Sequence, residues 1–482
     1  MSIFRRRTAE RYLRPVRSHF DRAVATGTAR GYGGGDCGMW MSSLDVHTGR
    51  YPADDSRRGP AGDRICRNIH APRGCTFYWD QPLIVAACAL SEQTGDPRHA
   101  AAADRYVRDV LERCVAHTGL LLWGNHYYYD AFRGKVMRFV SSEPPTACDP
   151  AVEDGSLHEL RPIPPAWELL WRGSPEATER HIRQMADRHV YDPAGGGFNR
   201  HADRKRARAV LEAGGILVEA ISFLAAHTGD DELRQAARRV AAFSWHHRDD
   251  RTGLLENDPT SDRWDKRICT TEVGLWAGCL LRAARMTGDD DLQTMAYGAV
   301  TAYLRHGFDE AEGRYFGRLN VADGSPDRSR KTTVYQPDTY SDPWQPLLRT
   351  HDYPVQLAQC CLRLYELTGD GACRTAVERW AEIVRETFPD PAAGDARPVY
   401  AEHLGRAVWL LLDAADAFRQ PDLRRHATEL ADRALELLYC DGMFRTHTGE
   451  DRADAVDGLG FLLLALLYLA RRRKPPTYGL GL

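Results

Sequence analysis

The stretch SEQTGDPRHAAAADRYVRDVL, Ser91–Leu111, carries a turn that recurs along the chain. Thr-Gly-Asp appears at Thr94–Asp96, Thr228–Asp230, Thr287–Asp289 and Thr368–Asp370, each time after one apolar-periodic segment and before another. The glycine suits the left-handed conformation that ends a helix, and the aspartate suits the cap that opens the next. Each copy therefore predicts a helix–turn–helix. A degenerate copy, FRQPDL at Phe418–Leu423, sits in the same context. The first two copies stand 134 residues apart, which leaves room for one unmarked hairpin, and the later spacings are about 50 to 80 residues.

Hairpins repeated in this way build either an open solenoid or a closed ring whose inner helices line a central cavity. The intervening loops are long and hold aromatic and charged residues, as in WHHRDD (Trp245–Asp250) and SDPWQP (Ser341–Pro346), whereas simple binding solenoids have short, uniform turns. The expected fold is thus all-α, an (α/α) toroid with long loops at one end, where a substrate groove would be built. No Gly/Ser-rich or Pro-rich linker separates one hairpin from the next, so residues 1–482 read as a single domain, with Ser142–Gly155 as an insertion-like loop within the ring. Short strand pairs are expected at Gly313–Leu319 and Met443–Thr446.

Bulk composition narrows the partners. Lys+Arg is 64 against Asp+Glu at 67, a formal charge of −3, so no global positive field draws nucleic acid or an anionic membrane. Twelve cysteines are scattered without a CxxC pair, several on apolar helical faces, which reads as a reducing compartment. The N-terminal segment has an amphipathic polar helix where a signal peptide would have an apolar core, so the expected location is cytoplasmic. The most apolar run, Leu459–Ala470, is shorter than the roughly 20 residues of a membrane span and reads as a buried terminal helix.

Three polar clusters interrupt the helical pattern: WGNH ending at His126, HEL centred on Glu159, and GGGFNRH ending in Arg200 and His201. Two imidazoles and a carboxylate suit a divalent transition metal and leave positions open for substrate or water. The separations, 33 and 42 residues, carry no specificity of their own, and in a chain with 18 histidines such triples also arise as capping or hydrogen-bonded side chains.

In this order and within a helical-hairpin protein, the three clusters resemble the metal and catalytic motifs of polysaccharide lyase family 2, pectate lyases with an (α/α) toroid fold. The likeness is strongest over Gly119–His201, and AEHLGRAV (Ala401–Val408) with DGLGFLLLALLYL (Asp457–Leu469) is similar to a broader group of toroidal uronate lyases. The resemblance implies that His126, Glu159 and His201 bind a divalent metal, manganese first, with zinc, nickel, cobalt or calcium as alternatives. It implies that Arg200 is the catalytic base and that the substrate is an acidic poly- or oligosaccharide, galacturonate first, cleaved at its uronate linkages by β-elimination. The stretch from His126 to Glu159, longer than in the family, departs from its pattern and leaves the groove's shape open.

Elementary chemistry sets this beside alternatives. Removing the proton α to a uronate carboxylate builds an enolate-like dianion, which a bound dication stabilises. A guanidinium with a pKa above about 12 is a poor base unless burial and nearby positive charge favour its neutral form. Arg200 can instead pair with the substrate carboxylate, with Lys205, a histidine or metal-bound hydroxide as base. Trp123, with Tyr127, Tyr128 and Tyr129, offers a surface for stacking on a sugar or belongs to the core, and Arg349 and Lys331 lie on a late loop that would complete an anionic-sugar groove. His158 reads as a partner of Glu159 or as a cap. Asp80, Glu272 and Asp457, beside apolar runs, read as helix caps. Two further readings keep the ring and change its use: a glycoside hydrolase or sugar epimerase, with Asp80, Glu272, His351 and His403 as candidate groups, or a non-catalytic carbohydrate-binding scaffold.

Overall fold

The computed structural model describes residues 3–52, 71, 73–140, 144–261, 266–329, 339–345 and 354–481. Arg349, Lys331 and His351 lie outside the described residues, as does the side chain of Asp457. The helices among the described residues are α1 (Ile3–Thr26), α2 (Phe77–Thr94), α3 (Arg98–Arg113), α4 (Trp167–Gly173), α5 (Pro175–His189), α6 (Leu211–Thr228) and α7 (Asp231–His246) in the first half. The second half holds α8 (Thr270–Thr287), α9 (Asp290–His306), α10 (Pro354–Thr368), α11 (Gly371–Glu386), α12 (Ala401–Phe418), α13 (Pro421–Leu438) and α14 (Leu459–Arg471).

Even-numbered helices line the inside of a ring and odd-numbered helices wrap it. The sequence dictates this partition. Every residue of α6 from Leu211 to Ala225 is buried, and so is α12 from Ala401 to Leu412, as befits mostly apolar helices walled in on every side, with the buried charge of Arg406 paired to Glu402 at 2.9 Å. By contrast α3 buries only His99, Ala103, Tyr106, Val107, Asp109 and Val110, one stripe at helical spacing. Inner helices pack in the order α6, α8, α10, α12, α14, α2, and the short α4–α5 hairpin, the unmarked one, fills the arc between α2 and α6. Helix α6 has the length and apolarity to cross a membrane, but 83% of it is buried among its neighbours. Where α14 meets α2 the backbones nearly touch: a Cβ on Gly460 would lie 2.1 Å from the Pro82 carbonyl carbon.

Each Thr-Gly-Asp turn ends its first helix at a left-handed glycine as the sequence predicts, and three of the four aspartates cap the next helix. In the first copy Pro97 holds the cap position and Asp96 accepts from the Arg98 amide at 3.1 Å. Gly229 ends α6 at φ 73°, and the Asp230 carboxylate accepts from the amides of Glu232 and Leu233. Asp289 and Asp370 cap α9 and α11 in the same way, and Arg419 takes the left-handed position in the degenerate copy. All inner-to-outer connections are therefore short, at residues 95–97, 174, 229–230, 288–289, 369–370 and 419–420. Outer-to-inner connections are long, at 27–76, 114–166, 190–210, 247–269, 307–353, 387–400 and 439–458, so they gather on one face of the ring, as expected.

Short strands brace that face. Antiparallel pairs join β1 (Ser43–Asp45) to β14 (Arg452–Asp454), β8 (Arg267–Cys269) to β11 (Arg318–Asn320), and β12 (Tyr439–Cys440) to β13 (Met443–Phe444). Strands β9 (Phe308–Asp309) and β10 (Arg314–Tyr315) form another pair, as do β6 (Val190–Asp192) and β7 (Gly197–Phe198), and strands fall at both expected places. Sequence reading did not anticipate a four-stranded sheet in the order β2 (Gly74–Cys75), β3 (Tyr127–Asp130), β4 (Lys135–Arg138), β5 (Thr146–Ala147). Three of its strands, β3 to β5, occupy the long interval between His126 and Glu159.

Candidate metal centre

Backbone pairing brings the distant clusters together on the long-loop face. Glu159 and His201 face each other as an antiparallel bridge, flanked by the Leu160 amide donating to the Arg200 carbonyl (3.0 Å) and the Ala202 amide donating to the His158 carbonyl (3.1 Å). The glycine run permits this: Gly196 sits at φ 77°, and a Cβ there would lie 2.0 Å from the Arg239 carbonyl oxygen on α7. Asn199 then fixes the turn, accepting from the His201 amide (3.0 Å) and donating to Asp203 Oδ1 (2.8 Å) and the Lys205 carbonyl (3.1 Å). His126 enters from the third direction at the start of β3, where its carbonyl accepts from the Phe139 amide at 2.8 Å.

One ligand-type atom from each of His126, Glu159 and His201 lies within 4.8 Å of the others. His126 Nε2 is 3.6 Å from Glu159 Oε2, and His201 Nε2 is 3.4 Å from Glu159 Oε1. Donors sharing an ion at about 2.1 Å stand roughly 3.0 to 3.4 Å apart, so small side-chain adjustments suffice. The donor set and its supports fit a divalent metal. His126 Nδ1 is 2.9 Å from the Phe139 carbonyl, which fixes its proton there and turns the Nε2 lone pair toward Glu159, the usual support of a ligating imidazole. His201 is set differently. Arg208 Nη1, which can only donate, lies 3.3 Å from His201 Nδ1, so that nitrogen accepts and Nε2 carries the proton. Ligation through Nε2 therefore requires a tautomer change with Arg208 turned aside.

Glu159 is the electrostatic hub. Its side chain is only 3% exposed and accepts from Asn125 Nδ2 at 3.0 Å, with Arg200 Nε at 3.1 Å and Arg161 Nη1 at 3.7 Å from Oε1. Burial alone would raise its pKa, but Arg200, Arg161 and His201 hold the carboxyl well below the usual range. Burial lowers the pKa of Arg200, reinforced by Arg161 and Arg208 and opposed by Glu159. Burial also lowers that of His201. Arg161 and Arg200 thus lie against Glu159 and Arg208 against His201, and with the buried carboxyl of Glu212 also acting on Arg200, three guanidiniums stand against two carboxyls around the centre. Sequence reading missed Asn125, Arg161 and Arg208, although the first lies inside WGNH and the second two residues after Glu159.

Two readings of nearby residues, those of Trp123 and His158, are corrected. Trp123 is 1% exposed, packed against Phe77, Tyr78, His158, Trp167 and His181, so it offers no face to a sugar and belongs to the core. His158 does not support Glu159: its Nδ1 is 2.8 Å from His189 Nε2, inside a buried group with His181. Adjacent residues on an extended segment face opposite ways, so Glu159 toward the site means His158 toward the core. Lys205 projects outward, 78% exposed, with Nζ 3.6 Å from Asp203. Of the two described candidate caps, Asp80 accepts from the Thr76 amide at 3.0 Å at the start of α2, and burial raises its pKa to about 7. Glu272, in the first turn of α8, accepts from the Cys269 thiol.

Residues 77–211, which include all three ligand-type residues and Arg200, match the family model described as periplasmic pectate lyase. This match supports a carbohydrate-processing enzyme. Among solved structures, a D-mannose isomerase is similar with a TM-score of 0.50 at 8% identity, covering 95% of this chain and 97% of that one. An unsaturated glucuronyl hydrolase specific for heparin is similar with a TM-score of 0.50 at 11% identity, covering 97% and 98% respectively. At these identities the likeness shows the fold, an (α/α) toroid.

Proposed function

We propose, taking as premise the match of residues 77–211 to the pectate lyase family, that the chain is a metal-dependent lyase cleaving uronate-containing poly- or oligosaccharides, galacturonates first, by β-elimination. The observation that carries the proposal is the convergence of His126, Glu159 and His201 within 4.8 Å, with Arg200 against the same carboxylate. His126, Glu159 and His201 would hold the ion, manganese by preference among metals that accept nitrogen and oxygen ligands. When bound, the ion supplies a positive centre that stabilises negative charge developing on the substrate's carboxylate.

The chain's own residues supply the rest. Guanidiniums at 161, 200 and 208 surround the centre with charge that favours an anionic sugar over a neutral one. Arg200 is the proposed base: it takes the C5 proton, the electron pair left behind forms the C4–C5 double bond, and the C4–oxygen bond breaks to release the leaving chain. A neutral guanidine is needed for this; burial, with Arg161 and Arg208, pushes Arg200 in that direction against the opposing charges of Glu159 and Glu212. The eleven described cysteines are free and nine of them buried, which supports a reducing, cytoplasmic setting in which short oligomers are the substrate.

The test is ultraviolet absorbance of unsaturated uronate on polygalacturonate and its oligomers, with manganese or with chelator. Product that forms with manganese and stops with chelator is the expected result. No unsaturated product from any uronate polymer, with manganese supplied, overturns the proposal. Reducing ends without a double bond would mark a hydrolase, and altered stereochemistry without cleavage an epimerase.

A further inference from the structure

Far along the chain from the centre just described, a second group of mixed donors assembles where the ring closes. His47 follows β1, while Cys440 and Asp441 sit at the β12–β13 hairpin, and one ligand-type atom from each lies within 4.8 Å of the other two. We infer that His47, Cys440 and Asp441 form a second metal site, for a thiophilic divalent ion of the zinc type. It is unrelated to turnover and fastens the first and last parts of the ring together.

The donor chemistry differs from that of the first centre. Thiolate with imidazole and one carboxylate favours zinc or cobalt over manganese or calcium, which prefer oxygen ligands. His47 stands between a ligand and a support: Nδ1 is hydrogen-bonded to Asp441 Oδ2 at 2.6 Å, a contact whose proton an ion would displace, while Nε2 lies 3.4 Å from Asp451 Oδ2. Asp451 in turn is held at 3.0 Å by Arg445 Nη1. Such a carboxylate behind the imidazole fixes the tautomer and raises ligand basicity.

The backbone is prepared as well. Asp441 and Gly442 both have positive φ, 48° and 83°, the turn in which Asp-Gly joins two strands without splaying them. The Arg22 guanidinium from α1 donates to the carbonyls of Val46 (3.1 Å), His47 and Asp441, so both ligand-bearing loops are tied to one side chain. Donors sharing a zinc ion stand about 3.3 to 3.6 Å apart, so the hydrogen-bonded His47–Asp441 pair opens from 2.6 Å to admit the ion, a movement that two exposed side chains make without disturbing the core.

Cobalt is the probe, because a thiolate ligand gives a near-ultraviolet charge-transfer band that the first centre, with no sulfur, cannot produce. The measurement uses the full chain and its His126→Ala/His201→Ala variant, so failure of the first centre leaves it intact. Expected are one bound cobalt with a thiolate band in that double variant, loss of the band in Cys440→Ser, and about 10- to 100-fold weaker binding in Asp451→Asn. His47→Gln keeps the sulfur and should weaken binding at least as much. No band in either protein, a band that survives Cys440→Ser, or a band lost with His126 and His201 overturns the inference.

Discussion

Replacing Glu159 with glutamine keeps the shape of the side chain and removes the one charge around which the centre is organised. The carboxylate is 3% exposed, with Arg200 at 3.1 Å and Arg161 at 3.7 Å from the same oxygen. Breaking a buried pair by removing one partner costs about 3 to 5 kcal/mol. Glutamine still accepts hydrogen bonds and Arg200 is 22% exposed, so the low end, about 3 kcal/mol, is the expectation here. With about 2.1 cal/mol/K of unfolding entropy per residue, 482 residues unfolding as one unit give about 1 kcal/mol/K, hence a Tm lower by about 3 °C.

The pH dependence supplies a sharper check. Glu159 has a folded pKa held below its unfolded value, so its contribution is complete above the ordinary carboxylate range and disappears as pH falls through the depressed value. Denaturant midpoints of wild type and Glu159→Gln, measured in chelator, should therefore differ near neutrality and converge in acid. A difference that stays constant down the whole range, or none at neutral pH, would refute the account of Glu159 as the charged hub.

Four shorter predictions follow from the same geometry. Arg200→Ala should retain metal by elemental analysis yet lose about 10²- to 10⁴-fold in kcat on uronate substrate, the range typical of a lost general base. Arg208→Gln removes the group that competes for His201 Nδ1, so metal titration should show tighter binding while KM for the anionic substrate rises. Gly460→Ala must push backbone 2.1 Å from its Cβ, costing about 1 to 3 kcal/mol or more as a lowered denaturant midpoint. His181 and His189 are buried with pKa values lowered to about 3 and about 4, so the unfolded chain takes protons first and stability falls with pH below about 6.5; His181→Gln should flatten that slope.

The ring was legible because it is written in local signals. A left-handed glycine and a capping aspartate act within four residues, so each Thr-Gly-Asp announces its hairpin without reference to the rest of the chain. The centre was legible only as an ordered set of motifs, since nothing in the spacing of His126, Glu159 and His201 says that a bridge between residues 159 and 201 draws them together. Trp123 misled because sequence proximity to His126 implied a shared surface, whereas the chain turns at Gly124 and sends the indole inward. Arg161 and Arg208 gave no signal because an arginine's reach across loops depends on tertiary placement, and a chain with 64 basic residues offers many of them. The four-stranded sheet before Glu159 escaped for a related reason: two- to four-residue strands are too short to show alternation.

The alternation of brief and extended connections has an evolutionary corollary. All six bends on one rim are three residues or shorter, while the opposite rim accepts inserted residues at modest entropic cost, since closure entropy grows only with the logarithm of length. Descendants of such a barrel can exchange whole recognition surfaces while the scaffold below them stays untouched. Room for change and the seat of the chemistry then coincide.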